Sequence, residues 1–98
     1  MHFEAIVHAP VLSPGTRLNI AEADQHEGRV PGQLAIGSEV RLRFGVCCPD
    51  RKIGLIIAQQ DEPARVVLAI GSRSWTLHRE GGGITSPGLV SEHWYVGD

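Results

Sequence analysis

The stretch Glu39-Val-Arg-Leu-Arg-Phe-Gly-Val46 decides the fold class. Val40, Leu42, Phe44 and Val46 recur at every second position, with Glu39, Arg41 and Arg43 between them. Successive side chains of a strand point to opposite faces, so this spacing makes one apolar face and one charged face. The period is two rather than 3.6, which predicts a half-buried strand. Gly37-Ser38 just before it is turn chemistry.

Outward from this stretch the same period returns. Residues 3–8 set Phe3, Ala5 and Val7 against Glu4, Ile6 and His8. A shorter strand is expected over 17–21, a candidate edge for pairing with a second copy. Residues 53–59 place Ile53, Leu55 and Ile57 on one side and Ile56 and Ala58 on the other. Residues 65–70 are apolar on both faces, as in a strand covered on both sides. Residues 74–79 set Trp75, Leu77 and Arg79 against Ser74, Thr76 and His78, and a last strand is expected over 89–96. Pro14-Gly15, Pro31-Gly32, Pro49-Asp50, Asp61-Glu62-Pro63, Gly71-Ser72, Gly81-Gly82-Gly83 and Pro87-Gly88 punctuate these runs. Only 21–28 has helix-like composition; it lacks an apolar stripe and reads as a loop or one helical turn. Short strands at this spacing predict an all-β fold, a small closed antiparallel barrel of about six strands. Closure removes the edges that a sandwich of this length would leave open.

The chain of 98 residues is expected to form one domain over 1–98. Its 42% hydrophobic and 20% charged residues favour a packed core over disorder. No apolar run approaches the about 18 residues of a membrane-spanning helix, so no membrane partner is expected. Met-His-Phe-Glu-Ala at the start lacks the basic end and apolar block of a secretory signal. Cys47 and Cys48 are adjacent, which makes a mutual disulfide awkward on a strand and does not match zinc-ligand spacing. Together these features predict a cytoplasmic protein. The formal charge is −2, and eight of the nine cations are arginines scattered along the chain. That balance speaks against a dedicated nucleic-acid binder, which usually carries a basic excess.

No pair among His2, His8, His26, His78 and His93 has the spacing of a compact metal motif. His78 and His93 would meet only if their strands paired side by side. No serine stands in a nucleophile elbow, and no glycine-rich lysine loop is present to cradle phosphates. The carboxylates fall mostly at turns. The chain therefore reads as non-enzymatic, with no catalytic residue, no metal site and no cofactor. Two features point instead to binding. Trp94 and Tyr95 are neighbours on one strand, so one of them must face away from the core, where partner contacts concentrate. The segment 80–88, Glu-Gly-Gly-Gly-Ile-Thr-Ser-Pro-Gly, reads as a hairpin loop or as a loop whose exposed amides approach a partner closely.

The run Trp75-Thr-Leu-His-Arg-Glu-Gly-Gly-Gly-Ile-Thr-Ser-Pro-Gly-Leu-Val-Ser91 resembles the closing hairpin of the C-terminal β-barrel, domain III, of elongation factor Tu. That family carries an aromatic-x-aliphatic strand, then Arg-Glu-Gly-Gly, a Thr, and a Gly followed by two aliphatics. Phe3-Glu-Ala-Ile-Val7, with Leu12 and Gly15 after it, is similar to the family's first strand. The resemblance implies a six-stranded antiparallel barrel that serves as a binding platform. It implies no GTPase activity, since the sequence holds no GTP-binding motif. Gly82, Gly83, Thr85, Ser86 and Gly88 match a family loop that lies near the tRNA acceptor–T-stem surface. Gly83 stands where the family has a cation, which ranks a protein partner ahead of RNA.

The function expected is that of a small β-barrel binding module, translation-factor-like, for a protein or an RNA. Its partner-binding residues are expected to be Arg79, Gly82, Gly83, Thr85, Ser86, Gly88, His93, Trp94 and Tyr95. The alternatives are a barrel that holds a small ligand and an inhibitor or immunity-type protein with one tight protein partner.

Overall fold

The computed structural model describes residues 2–23, 34–44, 51–61, 64–86 and 89–98. Seven strands follow one another: β1 (His2–Val7), β2 (Arg17–Glu22), β3 (Glu39–Phe44), β4 (Arg51–Asp61), β5 (Ala64–Ile70), β6 (Arg73–Ser86) and β7 (Leu89–Val96). They close into a barrel in the order β1-β2-β7-β6-β5-β4-β3, with β3 returning to β1. All described regular structure is strand, as the period-two pattern predicts. The small closed all-β barrel is as expected, with seven strands against the about six read from the sequence.

The pairing also departs from an all-antiparallel barrel. β1 and β3 run parallel, from His2↔Glu39 to Val7↔Phe44, while the other six pairings are antiparallel. Parallel neighbours cannot be joined by a tight hairpin and need a longer crossover. Here β2 and the chain up to residue 38 supply it. β2 is flanked by β1 on one side and β7 on the other. The expected edge at 17–21 is therefore taken up by β7 from Arg17 to Ile20.

The alternation read from the sequence sorts the side chains as expected in β1 and β3. Phe3, Ala5, Val7, Val40, Leu42 and Phe44 are buried; Glu4, Ile6, Arg41 and Arg43 are exposed. Leu18, Leu42, Ile56, Leu68 and Leu77 are almost wholly inaccessible and belong to one cluster with Trp94 and Val96. Small barrels are filled by such side chains and hold no channel. Gly54 is the exception on the inner face of β4. A Cβ there would stand 2.6 Å from Leu68 Cδ1 and 3.2 Å from the Ala69 carbonyl, so only glycine lets β5 pack this close.

In β5, Val66 and Leu68 are buried, with Ile70 packed against the core on the same face, but Val67 and Ala69 on the other face are half-buried. The strand is thus covered fully on one face only. The glycine-rich segment also differs from expectation. It is not a loop: β6 continues through Gly81, Gly82, Gly83 and Ile84 to Ser86, paired with β7 at Gly81↔His93, Gly82↔Glu92 and Gly83↔Ser91. The register shifts between Arg79 and Gly81 and again between Ile84 and Ser86. Such bulges place an unpaired extra residue, here Glu80 and then Thr85, and bend the strand. The turn residues Pro87 and Gly88 lie outside the described residues, as do Cys47, Cys48 and most of the helix-like 21–28.

Candidate functional site: the barrel mouth and the β6–β7 ribbon

The bulge at Glu80 decides how β6 meets solvent. Before it, Leu77 lies opposite Val96 and Arg79 opposite Trp94, and all but Arg79 are buried. Arg79 is the last inward position of β6 before the bulge, at one end of the barrel. Glu80 projects on the outside instead, where its carboxylate accepts from Arg17 Nη1 at 2.8 Å.

Three side chains meet at this end. The Trp94 indole Nε1–H donates to Glu92 Oε2 at 3.0 Å. The other carboxylate oxygen of Glu92 lies 3.7 Å from Arg79 Nε, an ion pair rather than a hydrogen bond. Glu92 stands two residues before Trp94, on the same face of the strand, so period two brings the acid beside the indole N–H edge. Leu34, Val66 and Ala64 complete the apolar lining, and Gln59, Gln60 and Arg65 the polar rim, of a cavity of about 340 Å³. Arg65 turns back on Gln60: its Nε donates to Gln60 Oε1 at 2.7 Å, and a terminal guanidinium nitrogen donates to the same oxygen.

Beyond this mouth β6 and β7 leave the wall. The last β5 partner of β6 is Arg65↔His78, and the last β2 partner of β7 is Ile20↔Glu92. From Gly83↔Ser91 to Ser86↔Leu89 the two strands pair with each other alone among the described residues. They form a two-stranded ribbon next to the mouth. Ser91 Oγ, at its base, is buried with no hydrogen-bond partner among the described residues.

The expected contact residues do not form one surface. Arg79 and Trp94 meet at the mouth; Gly82, Gly83, Thr85 and Ser86 run along the ribbon; Gly88 lies outside the described residues. Trp94 is 4% exposed, so it is the floor of the mouth and a core residue; the outward aromatic of the pair is Tyr95. Tyr95 lies on the barrel's outer wall, stacked on His78. His93 faces a second depression with His8, Arg17, Asn19 and Glu80, which shares Trp94 with the mouth. His78 is opposite Tyr95 and His93 opposite Gly81, so the two histidines are not cross-strand partners. Among the described residues no three His, Cys, Asp or Glu side chains are grouped to hold a metal, and no helix is long and apolar enough to cross a membrane. Sequence reasoning did not single out Leu34, Gln59 or Glu92. Glu92 was legible as the same-face neighbour of Trp94. Gln59 was not, because a register shift between Ile56 and Ala58 turns it inward, opposite Val66.

Comparison of the chain with family models, curated proteins and solved structures finds no match.

Proposed function

We propose that this chain is a non-enzymatic binding module whose partner, a protein, meets the barrel mouth and the adjoining β6–β7 ribbon. The observation that carries the reading is the trio Arg79, Glu92 and Trp94. Trp94 and Glu92 are locked together by a hydrogen bond, while among the described residues the Arg79 guanidinium is held by one long ion pair. A carboxylate fixed at the edge of an aromatic floor, beside a guanidinium with donors still to spend, suits an anchor side chain of a partner. The barrel interior is filled by its own leucines and valines, which directs recognition to the surface. On this reading the barrel is a platform, similar in role to the terminal barrel of translation factors. Among the described residues, Arg65 and Arg79 alone bring positive charge to the mouth, and Arg65 is engaged by Gln60. RNA affinity rests on neutralising several phosphates, so a protein is the better fit.

A second reading, a small-molecule site, draws support from the cavity itself. Its volume sits near the lower end of the about 300–1,000 Å³ range of ligand pockets, and it joins an apolar floor to a few polar groups.

Affinity capture from the native host, with mass spectrometry and RNA sequencing of the same eluate, separates these classes. A stoichiometric protein that is retained after nuclease treatment supports the proposal. Enrichment of RNA alone overturns it. A compound that raises the melting temperature through the mouth, with no protein retained, transfers the assignment to the second reading.

A further inference from the structure

A different part of the barrel carries a second surface. On the outer wall, register places Ile6, Arg43 and Arg51 in one row across β1, β3 and β4, and Glu4, Arg41 and Ile53 in the next. Leu55 follows opposite Glu39. Arg43 thus faces Arg51 directly, and neither has an ion-pair partner among the described residues; Arg41 is 3.6 Å from Glu39. Like charges directly opposite each other disfavour a strand pair, so an anion placed between them relieves the wall as well as binding to it. Beside this pair Ile6, Ile53 and Leu55 are 50%, 62% and 46% exposed. Single exposed aliphatics are ordinary, but aliphatics adjoining an unpaired arginine couple form a mixed patch, as interaction surfaces do.

The chemistry of the patch selects its occupant. β1, β3 and β4 are each flanked by strands on both sides, so no backbone edge is open and recognition must run through side chains. Nucleic acid would need stacking partners, and the patch supplies aliphatics in their place. A uniformly anionic membrane would press its headgroups against Glu4 and Glu39, which share the rows of Arg41 and Leu55. Discrete carboxylates set beside aliphatic side chains meet both halves at once. We propose that this wall docks an extended protein segment that carries acidic and aliphatic residues together on one face, at every second position, its carboxylates over Arg43 and Arg51 and its aliphatics over Ile53 and Leu55. The mouth residues take no part, so the two surfaces stand or fall separately.

The test is fluorescence anisotropy of the full chain with three labelled probes: the octapeptide Glu-Ser-Glu-Ser-Leu-Ser-Leu-Ser, which sets acids and aliphatics on one face, a uridine dodecanucleotide, and phosphatidylserine–phosphatidylcholine vesicles. The expected result is saturable binding of the peptide that weakens roughly tenfold or more in Arg43→Gln/Arg51→Gln and in Leu55→Ser, and is unchanged in Arg79→Gln. These positions are exposed, and circular dichroism confirms that each variant is folded. Peptide binding that is absent, or that survives either set of substitutions, overturns the proposal. So does tighter binding of the oligonucleotide or the vesicles through the same arginines.

Discussion

The His78 ring lies on Tyr95, with centroids 5.2 Å apart and planes 20° apart, and its edge covers the backbone of Gly97. A Cβ on residue 97 would stand 2.7 Å from His78 Cδ2 and closer still to Nε2, while the Gly97 amide donates to the Thr76 carbonyl at 2.8 Å. The stack and the glycine are therefore one arrangement: the ring can lie flat on Tyr95 only because the next strand-end residue has no side chain.

Gly97→Ala should push His78 off Tyr95. The expected cost is about 1 kcal/mol, the scale of an aromatic pair. In the His78→Ala background the same substitution should cost under about 0.5 kcal/mol, because nothing remains to collide with. Urea denaturation of the four proteins of this cycle measures the coupling.

Gly54→Ala tests the closeness of β4 and β5. The new methyl meets Leu68 Cδ1 and the Ala69 carbonyl, and the carbonyl is fixed by the ladder. Overpacking of this kind costs about 1–3 kcal/mol, seen as a lower denaturation midpoint with an unchanged slope.

Ser91→Ala should go the other way. The hydroxyl is buried without a partner among the described residues, and an unsatisfied buried polar group costs about 1–3 kcal/mol. Its removal is expected to leave thermal stability unchanged or to raise it. A fall in melting temperature would mean that the hydroxyl is bonded in solution.

How much of this was legible in the sequence follows from how local each signal is. Val40, Leu42 and Phe44 announce a strand because the alternation is written in neighbouring residues, and the structure buries all three. The parallel pairing of β1 with β3 was not legible, since no local pattern encodes which strand closes a barrel. Gly81, Gly82 and Gly83 read as a loop because glycine is a poor strand former; β7 holds them extended by supplying a partner strand that the local sequence does not show. Arg79 and Trp94 could be named as contact residues, but not separated from His93 and Tyr95. Alternation puts Trp94 on the face opposite to His93 and Tyr95, but which face turns to the core is set by the pairing of β7 with β2 and β6, which no local pattern shows.

The binding reading rests on Arg79 at the mouth. The decisive measurement is the affinity of a captured protein partner, by titration calorimetry, for the wild type, for Arg79→Gln and for Arg73→Gln. Arg73 is an exposed arginine over Trp75 and lies outside the mouth cavity, so it controls for loss of a surface arginine away from the site. Arg79→Gln is expected to weaken binding by about 2 kcal/mol, as a hot-spot arginine does, with Arg73→Gln close to wild type and all three equally stable. Equal affinities for the wild type and Arg79→Gln would place the partner elsewhere and contradict the assignment of the mouth.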